Sequence, residues 1–285
     1  MICELVDRWQ QKAPVTQVCR LFSISRSGYY AARACQKSPG VCVATVHLKA
    51  AFAASQKSYG SRRLVTALQN KGIKMGRYKV RRLMKQSNIK PVWKKQFIST
   101  TDSKHGLPVA DNILNRQFNP PIPNQVWTSD ITYIRTQTGW LYLAVVMDLF
   151  SRKIIGWAMS SSMPAGLVCR ALQMAIGQRQ PAAGLILHSD QGSQYASDEY
   201  QRLLKQHHII GSMSRKGNCW DNAVMERFFL NLKMERVWQK NYANQAEAII
   251  DITDYIVQFY NCLRLHSTLN YLSPINYEIK MTQKT

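Results

Sequence analysis

Three carboxylates, each at the end of an apolar segment, most constrain what this chain can fold into. Asp130 ends one apolar run, Asp190 follows the short run Leu185–His188, and Glu226 lies on an amphipathic stretch near residue 220. Taken singly, the two aspartates are also explained as turn residues and the glutamate as a helix-surface charge. Taken in this order, the three acids predict a metal-ion site, because carboxylate oxygens are the ligands that Mg²⁺ prefers.

The basic residues are concentrated in the first half of the chain. The formal net charge is +22, and residues 1–125 hold 22 of the 38 Lys and Arg residues but only 4 of the 16 Asp and Glu residues. No carboxylate occurs between Asp7 and Asp102. Such a surface attracts polyanions through the release of counterions. It predicts nucleic-acid binding, with a ribosomal-type or merely basic domain as the alternative.

Composition argues against a membrane protein and against a disulfide-stapled one. No run reaches the ~18 apolar residues of a membrane span, and the first residues lack the basic end and apolar middle of a signal peptide. The seven cysteines form no C-x-x-C pair. We therefore expect a cytoplasmic protein with reduced thiols and no membrane partner.

Residues 1–40 are expected to form an N-terminal helical segment. An apolar stripe ending at Phe22 predicts one helix, Ser23–Ser25 interrupt it, and Ser25 can cap a second helix. Two helices and a tight turn fit a helix-turn-helix unit, and plain helical packing fits equally well.

Residues 41–99 are expected to form a basic helix-turn-helix-like domain. Its predicted helices are His47–Ala54, Ser61–Asn70 and Arg77–Gln86, the second closed by Gly72. The side chains expected to face outward and contact DNA are Arg62, Arg63, Arg77, Lys79, Arg81, Arg82 and Lys85. A solvated basic face is the alternative. Because no acid lies near enough in sequence to pair with them, phosphate contact is favoured, with the third helix entering a major groove.

Residues 100–124 are expected to be a semi-rigid linker, because Pro120, Pro121 and Pro123 cluster there. Residues 125–285 then have an α/β pattern. Short turns join the predicted strands 126–136, 140–148 and 153–160, which indicates an antiparallel meander. A helix over 164–178, a strand over 185–188, a helix over 198–206 and a strand over 209–213 follow. This is a mixed five-stranded sheet with flanking helices, the ribonuclease-H-like layout, in which the first and fourth strands are central neighbours.

In that layout Asp130 and Asp190 converge at one edge of the sheet, and the helix carrying Glu226 supplies the third acid. Two metal ions ~4 Å apart would there clamp the attacking and leaving oxygens of a phosphoryl transfer. Lys233 lies two helical turns after Glu226, and Asn222 lies one turn before it. On the same helix face, Lys233 can hold a DNA phosphate, with a solvated surface lysine as the alternative.

Two further polar residues are assigned to structure rather than chemistry. Asp148 ends a strand and is expected to form a turn or an ion pair with Arg152. His188 stands among apolar residues, so we expect a core position or a supporting role rather than a metal ligand.

Six segments carry a combination of motifs found together in one known family: 127–133, 148–157, 188–195 and 217–229, the tail 260–274 and the basic module 59–91. In these segments the chain resembles bacterial insertion-sequence transposases of the DDE type, within the retroviral integrase superfamily. The chain is similar to the second-frame product of the branch that has two overlapping reading frames. The zinc-binding His/Cys module of retroviral integrases has no counterpart here. The leucine zipper and first helix-turn-helix of the upstream frame are also missing, unless residues 1–12 are a remnant.

The resemblance implies roles for particular residues. Asp130, Asp190 and Glu226 match the three metal-binding catalytic acids, and Lys233 matches the basic residue that follows the glutamate. It implies two Mg²⁺ ions per site, for which Mn²⁺ can substitute. It also implies transposon ends and target DNA as partners, a homo-oligomer on DNA, a fusion or partnership with the upstream-frame product, and association with the bacterial nucleoid.

The leading hypothesis is therefore a transposase that cuts the 3′ end of an element and transfers the strand. One alternative is a DNA-binding accessory or regulatory subunit that needs a fused upstream segment for activity. Another is a ribonuclease-H-type hydrolase that cuts without joining.

Overall fold

The structure is a computed structural model that describes residues 2–9, 13–37, 42–92, 110–215 and 219–283. It divides into two compact units, Met1–Ala50 and Ala51–Thr285. The division falls inside the segment 41–99 that the sequence assigned to one basic domain. Within the described residues, no helix has both the length and the apolar character needed to cross a membrane.

The described part of the first unit begins with three short helices, α1 (Ile2–Trp9), α2 (Val15–Leu21) and α3 (Arg26–Lys37). Their shared core consists of Val6, Val18, Cys19 and Tyr29. The break expected at Ser23–Ser25 is present, and the Ser25 hydroxyl accepts a hydrogen bond from the Gly28 N–H at 3.0 Å. The two helices and the turn of the expected motif are thus formed. Helix α4 (Val43–Ala54) follows.

The second unit begins with a small helical module built from α5 (Ser61–Gln69) and α6 (Arg77–Gln86). Apolar side chains at helical spacing are buried between the helices: Leu64, Leu68, Val80, Leu83 and Met84. The connection turns at Gly72, whose φ of 76° lies in the left-handed region. That conformation is the reason for a glycine there.

A five-stranded sheet forms the centre of the second unit. Its strands are β1 (Val126–Thr136), β2 (Gly139–Asp148), β3 (Ile154–Ser160), β4 (Ile186–Ser189) and β5 (Ile210–Met213). The spatial order is β3-β2-β1-β4-β5, with antiparallel pairing among the first three strands and parallel pairing of β1 with β4 and β4 with β5. The expected ribonuclease-H-like layout, with the first and fourth strands as central neighbours, is confirmed.

Helices cover both faces of the sheet. The helices α7 (Ala165–Arg179) and α8 (Asp198–Gln206) pack on the face that presents Trp127, Ala144 and Val146. The helix α9 (Ala223–Glu235) contacts β1, and α10 (Gln245–Asp254) contacts β2. A π-helical turn over Tyr255–Asn261 and the helix α11 (Pro274–Thr282) complete the chain. This arrangement sets the N-terminal end of α9 beside the centre of the sheet.

Part of the expected linker is packed on this domain. Residues 110–124 contain no helix or strand, but Leu114 is buried with Val126 and Leu149. The N–H groups of Ile113 and Leu114 both donate to Ser212 Oγ on the edge strand β5, at 3.0 and 3.2 Å. This segment therefore shields an exposed sheet edge, a common way to prevent unwanted strand pairing. Residues 100–109 of the expected linker and residues 93–99 of the expected basic domain lie outside the described residues.

The helical module is joined to the C-terminal part of the same unit through Tyr59. Its hydroxyl donates to the Leu263 carbonyl at 3.2 Å and accepts from the Leu265 N–H at 2.8 Å. Between those two positions Arg264 makes a buried two-pronged ion pair with Glu235 of α9, with both N–O distances at 2.8 Å. Tyr59 thus fixes the module to the segment that supports α9.

A substitution at Gly156 on β3 tests how closely β3 packs against α7. A Cβ at this position would lie 2.2 Å from the Ala171 carbonyl oxygen and 2.8 Å from the Ala175 Cβ. We expect Gly156→Ala to lower the free energy of unfolding by at least about 1–3 kcal/mol, because the backbone must shift to relieve the overlap. Urea denaturation followed by circular dichroism measures it.

Gly177→Ala is the matched control, because a Cβ there meets nothing within 4 Å on the exposed side of α7. It should leave stability unchanged or raise it by about 0.5–1 kcal/mol, since alanine is the better helix former. Equal stability of the two variants would contradict the close approach.

Candidate active site

The parallel register of β1 and β4 brings two of the predicted acids together. Thr128 lies opposite His188, so Asp130 and Asp190 each follow two residues beyond a paired position. Neighbouring strands lie about 4.8 Å apart, so matched positions on them are side by side. β4 ends at Ser189 while β1 continues to Thr136. The two carboxyl groups therefore occupy the point where β1 loses its parallel neighbour.

The Asp130 carboxylate is held by two hydrogen bonds. Its Oδ1 accepts from the N–H of Ile131 at 2.7 Å, and its Oδ2 accepts from Asn222 Nδ2 at 2.9 Å. Asn222 is in turn fixed by the Thr128 hydroxyl, which donates to its Oδ1 at 3.1 Å. Asn222 is buried and directly precedes α9, so its side chain links the start of that helix to two residues of β1.

Asp221 anchors the same turn on its other side. Its buried carboxylate accepts from Arg116 at 2.8 Å, from Asn112 at 2.9 Å and from Arg215 at 3.0 Å. The hydrogen bonds from Arg215, and then those from Arg116, hold the pKa of Asp221 far below its usual value. Asp221 is therefore ionised and ties the start of α9 to the segment before β1 and to the end of β5.

Glu226 and Lys233 both act on Asp130 from α9. Glu226 is exposed on the first turn of the helix, and its negative charge raises the pKa of Asp130. Lys233 is half-buried, with its Nζ 4.6 Å from the centre of the Tyr133 ring. Burial lowers the pKa of Lys233, and Asp130 opposes that shift. The charges of Glu226 and Lys233 thus reach Asp130, and their roles at the site stay a prediction.

The charges of two other carboxylates act on Asp130. Burial raises the pKa of Asp130 well above its usual value, and the charges of Asp190 and Glu226 raise it further. The Ile131 N–H and Lys233 act in the opposite direction. Carboxylates gathered in this way are costly unless a cation compensates them. Among the described residues, however, no three His, Cys, Asp or Glu side chains form a ready metal-binding group.

His188 and Asp148, the two residues assigned to structural roles, both lie within hydrogen-bond distance of neighbouring groups. His188 Nδ1 lies 3.0 Å from Ser212 Oγ and Nε2 lies 3.2 Å from Ser214 Oγ, and burial lowers its pKa to about 4. His188 is therefore a neutral core residue.

Asp148 accepts from the N–H groups of Asn124 and Phe150, both at 3.0 Å. The turn is confirmed for Asp148, while Arg152 donates instead to Asn119 at 2.7 Å.

The predicted basic face is largely on the surface. Arg62 on α5 is exposed, as are the five cations of α6, which are Arg77, Lys79, Arg81, Arg82 and Lys85. Tyr78, which the sequence analysis did not single out, is 87% exposed among them. The outward orientation expected for Arg63 is wrong. Its guanidinium lies 5.7 Å from the Tyr59 ring centre, and burial lowers its pKa. Arg63 faces the junction that Tyr59 forms.

Family comparisons agree with this architecture. Residues 120–219 and 207–274 match two families described as "Integrase core domain", and residues 44–97 match the family described as "HTH-like domain". The sheet and the acids of β1 and β4 thus belong to an integrase-type core preceded by a helix-turn-helix-like module. These domains define a DNA-acting polynucleotidyl transferase.

Whole-chain relatives narrow this class. The chain is 43% identical over 271 residues to "Insertion element IS600 uncharacterized 31 kDa protein" of Shigella sonnei, covering 93% of this chain and 99% of that protein. It is 38% identical over 284 residues to "Transposase InsF for insertion sequence IS3A" of Escherichia coli K12, covering 96% and 97%. The chain belongs to this family of DDE insertion-sequence transposases.

A solved structure is also similar. The simian T-cell lymphotropic virus intasome bound to a PP2A regulatory subunit contains a chain with a TM-score of 0.48 and 16% identity, covering 75% of this chain and 69% of that one. The fold assignment here rests on the strand order and register.

Asn222 provides a test of how Asp130 is oriented. We expect Asn222→Ala to lower the rate of DNA cleavage about 10- to 100-fold, because partners that orient a metal-binding carboxylate typically have effects of this size. Affinity for duplex DNA should stay unchanged. Single-turnover cleavage and equilibrium binding measure the two quantities separately.

The control is Asn231→Ala, on the partly buried second half of the same helix. It should retain nearly the parental rate. Equal losses in the two variants would mean that Asn222 only supports the fold of α9.

Proposed function

We propose that the chain catalyses metal-dependent 3′-end cleavage and strand transfer at the ends of an insertion sequence, with Asp130, Asp190 and Glu226 as its catalytic acids. One observation carries the proposal. Asp130 and Asp190 lie side by side where β4 ends, and the charges of Glu226 and Lys233 both act on Asp130.

The chemistry of these residues fits a divalent cation. Asp130 is partly buried and the charges of two other carboxylates act on it, so a positive charge is needed to keep all three ionised. Mg²⁺, or Mn²⁺ in its place, takes oxygen ligands of this kind. We propose that Asp130 and Asp190 hold one ion jointly and that Glu226 contributes to a second. Two bound ions would stabilise the negative charge on the attacking and leaving oxygens.

The reaction has two displacements at phosphorus. In the first, a water oxygen forms a bond to phosphorus at the element's end, and the 3′ oxygen leaves and takes up a proton. In the second, that 3′-hydroxyl loses its proton and its oxygen forms a bond to the phosphorus of a target phosphodiester. The target's own 3′ oxygen leaves that phosphorus and takes up a proton. Asn222 keeps the Asp130 carboxylate in place, and Lys233 holds a phosphate of the DNA strand. The protein itself forms no covalent intermediate.

Asp190→Asn tests the assignment of the acids. We expect both Mg²⁺-dependent cleavage and joining to fall by at least about 1,000-fold, because the amide is a neutral and poorer ligand for the ion. Binding to a labelled duplex of the element's end should persist. Denaturing gels that resolve cut and joined strands measure both steps, and they also distinguish a transposase from a hydrolase that only cuts.

Asp198→Asn is the charge-matched control, since Asp198 is exposed in the first turn of α8. It should keep parental activity. Undiminished cleavage by Asp190→Asn would remove Asp190 from the site.

We also propose that the HTH-like module binds duplex DNA through Arg62 and the five cations of α6. Their exposure supports the proposal, as does the lack of any acidic residue in the sequence between Asp7 and Asp102. A basic helix with one open face can enter a major groove and neutralise phosphates on either side. Arg63 is expected to serve the Tyr59 junction instead.

Arg81→Ala with Arg82→Ala tests this surface. The double variant should bind more weakly, and the slope of log K against log salt concentration should shrink by up to about 1.8, because each phosphate contact contributes about 0.9. Arg63→Ala should chiefly lower thermal stability, since its side chain packs on Tyr59. A salt slope that changes more in Arg63→Ala than in the double variant would contradict the assignment.

Four further features complete the proposal. The domain over 41–99 would bind DNA, and the domain over 125–285 would carry out catalysis.

Two element ends must be held together, so we propose a homo-oligomer on DNA, working at the nucleoid. We also propose that the upstream-frame product is fused to this chain or acts with it. Assaying the chain with and without that upstream segment on labelled ends tests the last point.

A further inference from the structure

We propose that residues 2–9 and 13–37 form a second DNA-binding unit, in which α3 enters the major groove of duplex DNA. This goes beyond the proposed function, which assigns DNA binding to the HTH-like module at 44–97. The unit belongs to Met1–Ala50, a compact part of the chain distinct from the part that contains α5, α6 and the sheet.

The turn between α2 and α3 has a defined geometry. The N–H of Ser23 donates to the Arg20 carbonyl at 3.1 Å, and the N–H of Ile24 donates to the Cys19 carbonyl at 3.0 Å. Ser23 itself has a φ of 53°. Ser25 then caps α3 through the Gly28 N–H. Two helices joined by a fixed tight turn are the geometry with which helix-turn-helix proteins place their second helix in the major groove.

Contacts with α1 fix which face of α3 is turned inward. Tyr29 is 1% exposed, and its hydroxyl donates to the Asp7 carboxylate on α1. Arg33, one turn later, lies 3.6 Å from the same carboxylate. The face of α3 that carries Tyr29 and Arg33 is therefore turned toward Asp7 on α1. The opposite face of α3 points away from α1.

The opposite face has the composition expected of a DNA-contacting helix. Arg26, Ser27, Tyr30 and Ala31 are exposed along the first two turns of α3. Small and polar side chains there let a helix approach base edges, and arginine is the side chain that most often contacts guanine. Gly28 preserves the cap of this helix, because a Cβ there would lie 2.9 Å from the Ser25 Oγ.

Charge and exposed apolar side chains favour DNA over a solvated surface. Residues 13–37 contain no acidic residue, and Arg20 is exposed at the end of α2, beside the turn. A merely solvated helical surface usually carries charges of both signs. Leu21 is 81% exposed and Tyr30 is 52% exposed, next to these cations. Apolar groups in such positions can contact thymine methyl groups in the groove.

The test compares two double variants of the full chain that lose the same charge. Arg20→Ala with Arg26→Ala removes cations from the proposed surface, and Lys205→Ala with Lys280→Ala removes exposed cations from the other unit. Binding to a labelled duplex of the element's end is measured without divalent metal, so the outcome is independent of the catalytic acids. Methylation protection reports which guanine N7 atoms are covered in the major groove.

We expect the parental chain to protect two separate stretches of major groove. Arg20→Ala with Arg26→Ala should lose one stretch and weaken binding about 10- to 100-fold, while the control retains both. Circular dichroism should show the same helix content in both variants. Unchanged protection and affinity in the Arg20 and Arg26 variant would overturn the proposal. So would an altered oligomeric state in sedimentation with an unchanged footprint, which would assign α3 to a protein interface.

Discussion

The parallel pairing of β1 with β4 is the constraint on which the catalytic unit depends. Its register, which pairs Thr128 with His188, brings Asp130 and Asp190 from distant parts of the sequence close enough for their charges to interact. Register is strict because alternate residues of each strand face opposite sides of the sheet, so a one-residue slip would turn Asp130 toward the face that α7 and α8 cover. Buried side chains on β4 resist such a slip. Leu187 packs in the core under α7 and α8, and the neutral His188 is held between Ser212 and Ser214.

The second requirement is that α9 begin at a fixed place beside this pair. Asp221 and Asn222 fix the start of α9 through contacts in two different directions. Asp221 accepts hydrogen bonds from two arginines and so secures the turn to the surrounding chain. Asn222 reaches inward and holds Asp130. Glu226 and Lys233 then follow at helical intervals, so their charges act on Asp130 without a direct bond to it. Two adjacent residues thereby couple the stability of α9 to the geometry of the acids.

Much of the catalytic unit could be predicted from periodicity and turn chemistry. Alternating and continuous apolar runs give all five strands to within a residue or so, and their order follows from short turns and crossover helices. The pairing of Asp130 with Asp190 then follows from topology. The network that holds the site did not follow from the sequence. Arg116 and Asp221 are 105 residues apart, and Arg116 lies in a segment without periodic pattern.

Other misjudged features have the same physical origin. Helical spacing placed Arg63 on the outer face of α5, whereas its guanidinium lies over the Tyr59 ring. The distant residues Leu263 and Leu265 hold that ring in place. The prolines near residue 120 indicated a linker, while Leu114 is buried with Val126 and Leu149 and its N–H donates to Ser212 on β5. Local pattern therefore identifies elements and reacting groups, whereas long-range packing decides which polar groups hold them.

The most direct test of the proposed site is an experimental structure of the chain with Mn²⁺ and a duplex of the element's end, using the anomalous signal of the metal. The account predicts a peak between the carboxylates of Asp130 and Asp190, at ligand distances of about 2.0–2.3 Å. A second peak is expected on the Glu226 side. Manganese bound elsewhere, with neither aspartate among its ligands, would contradict the account.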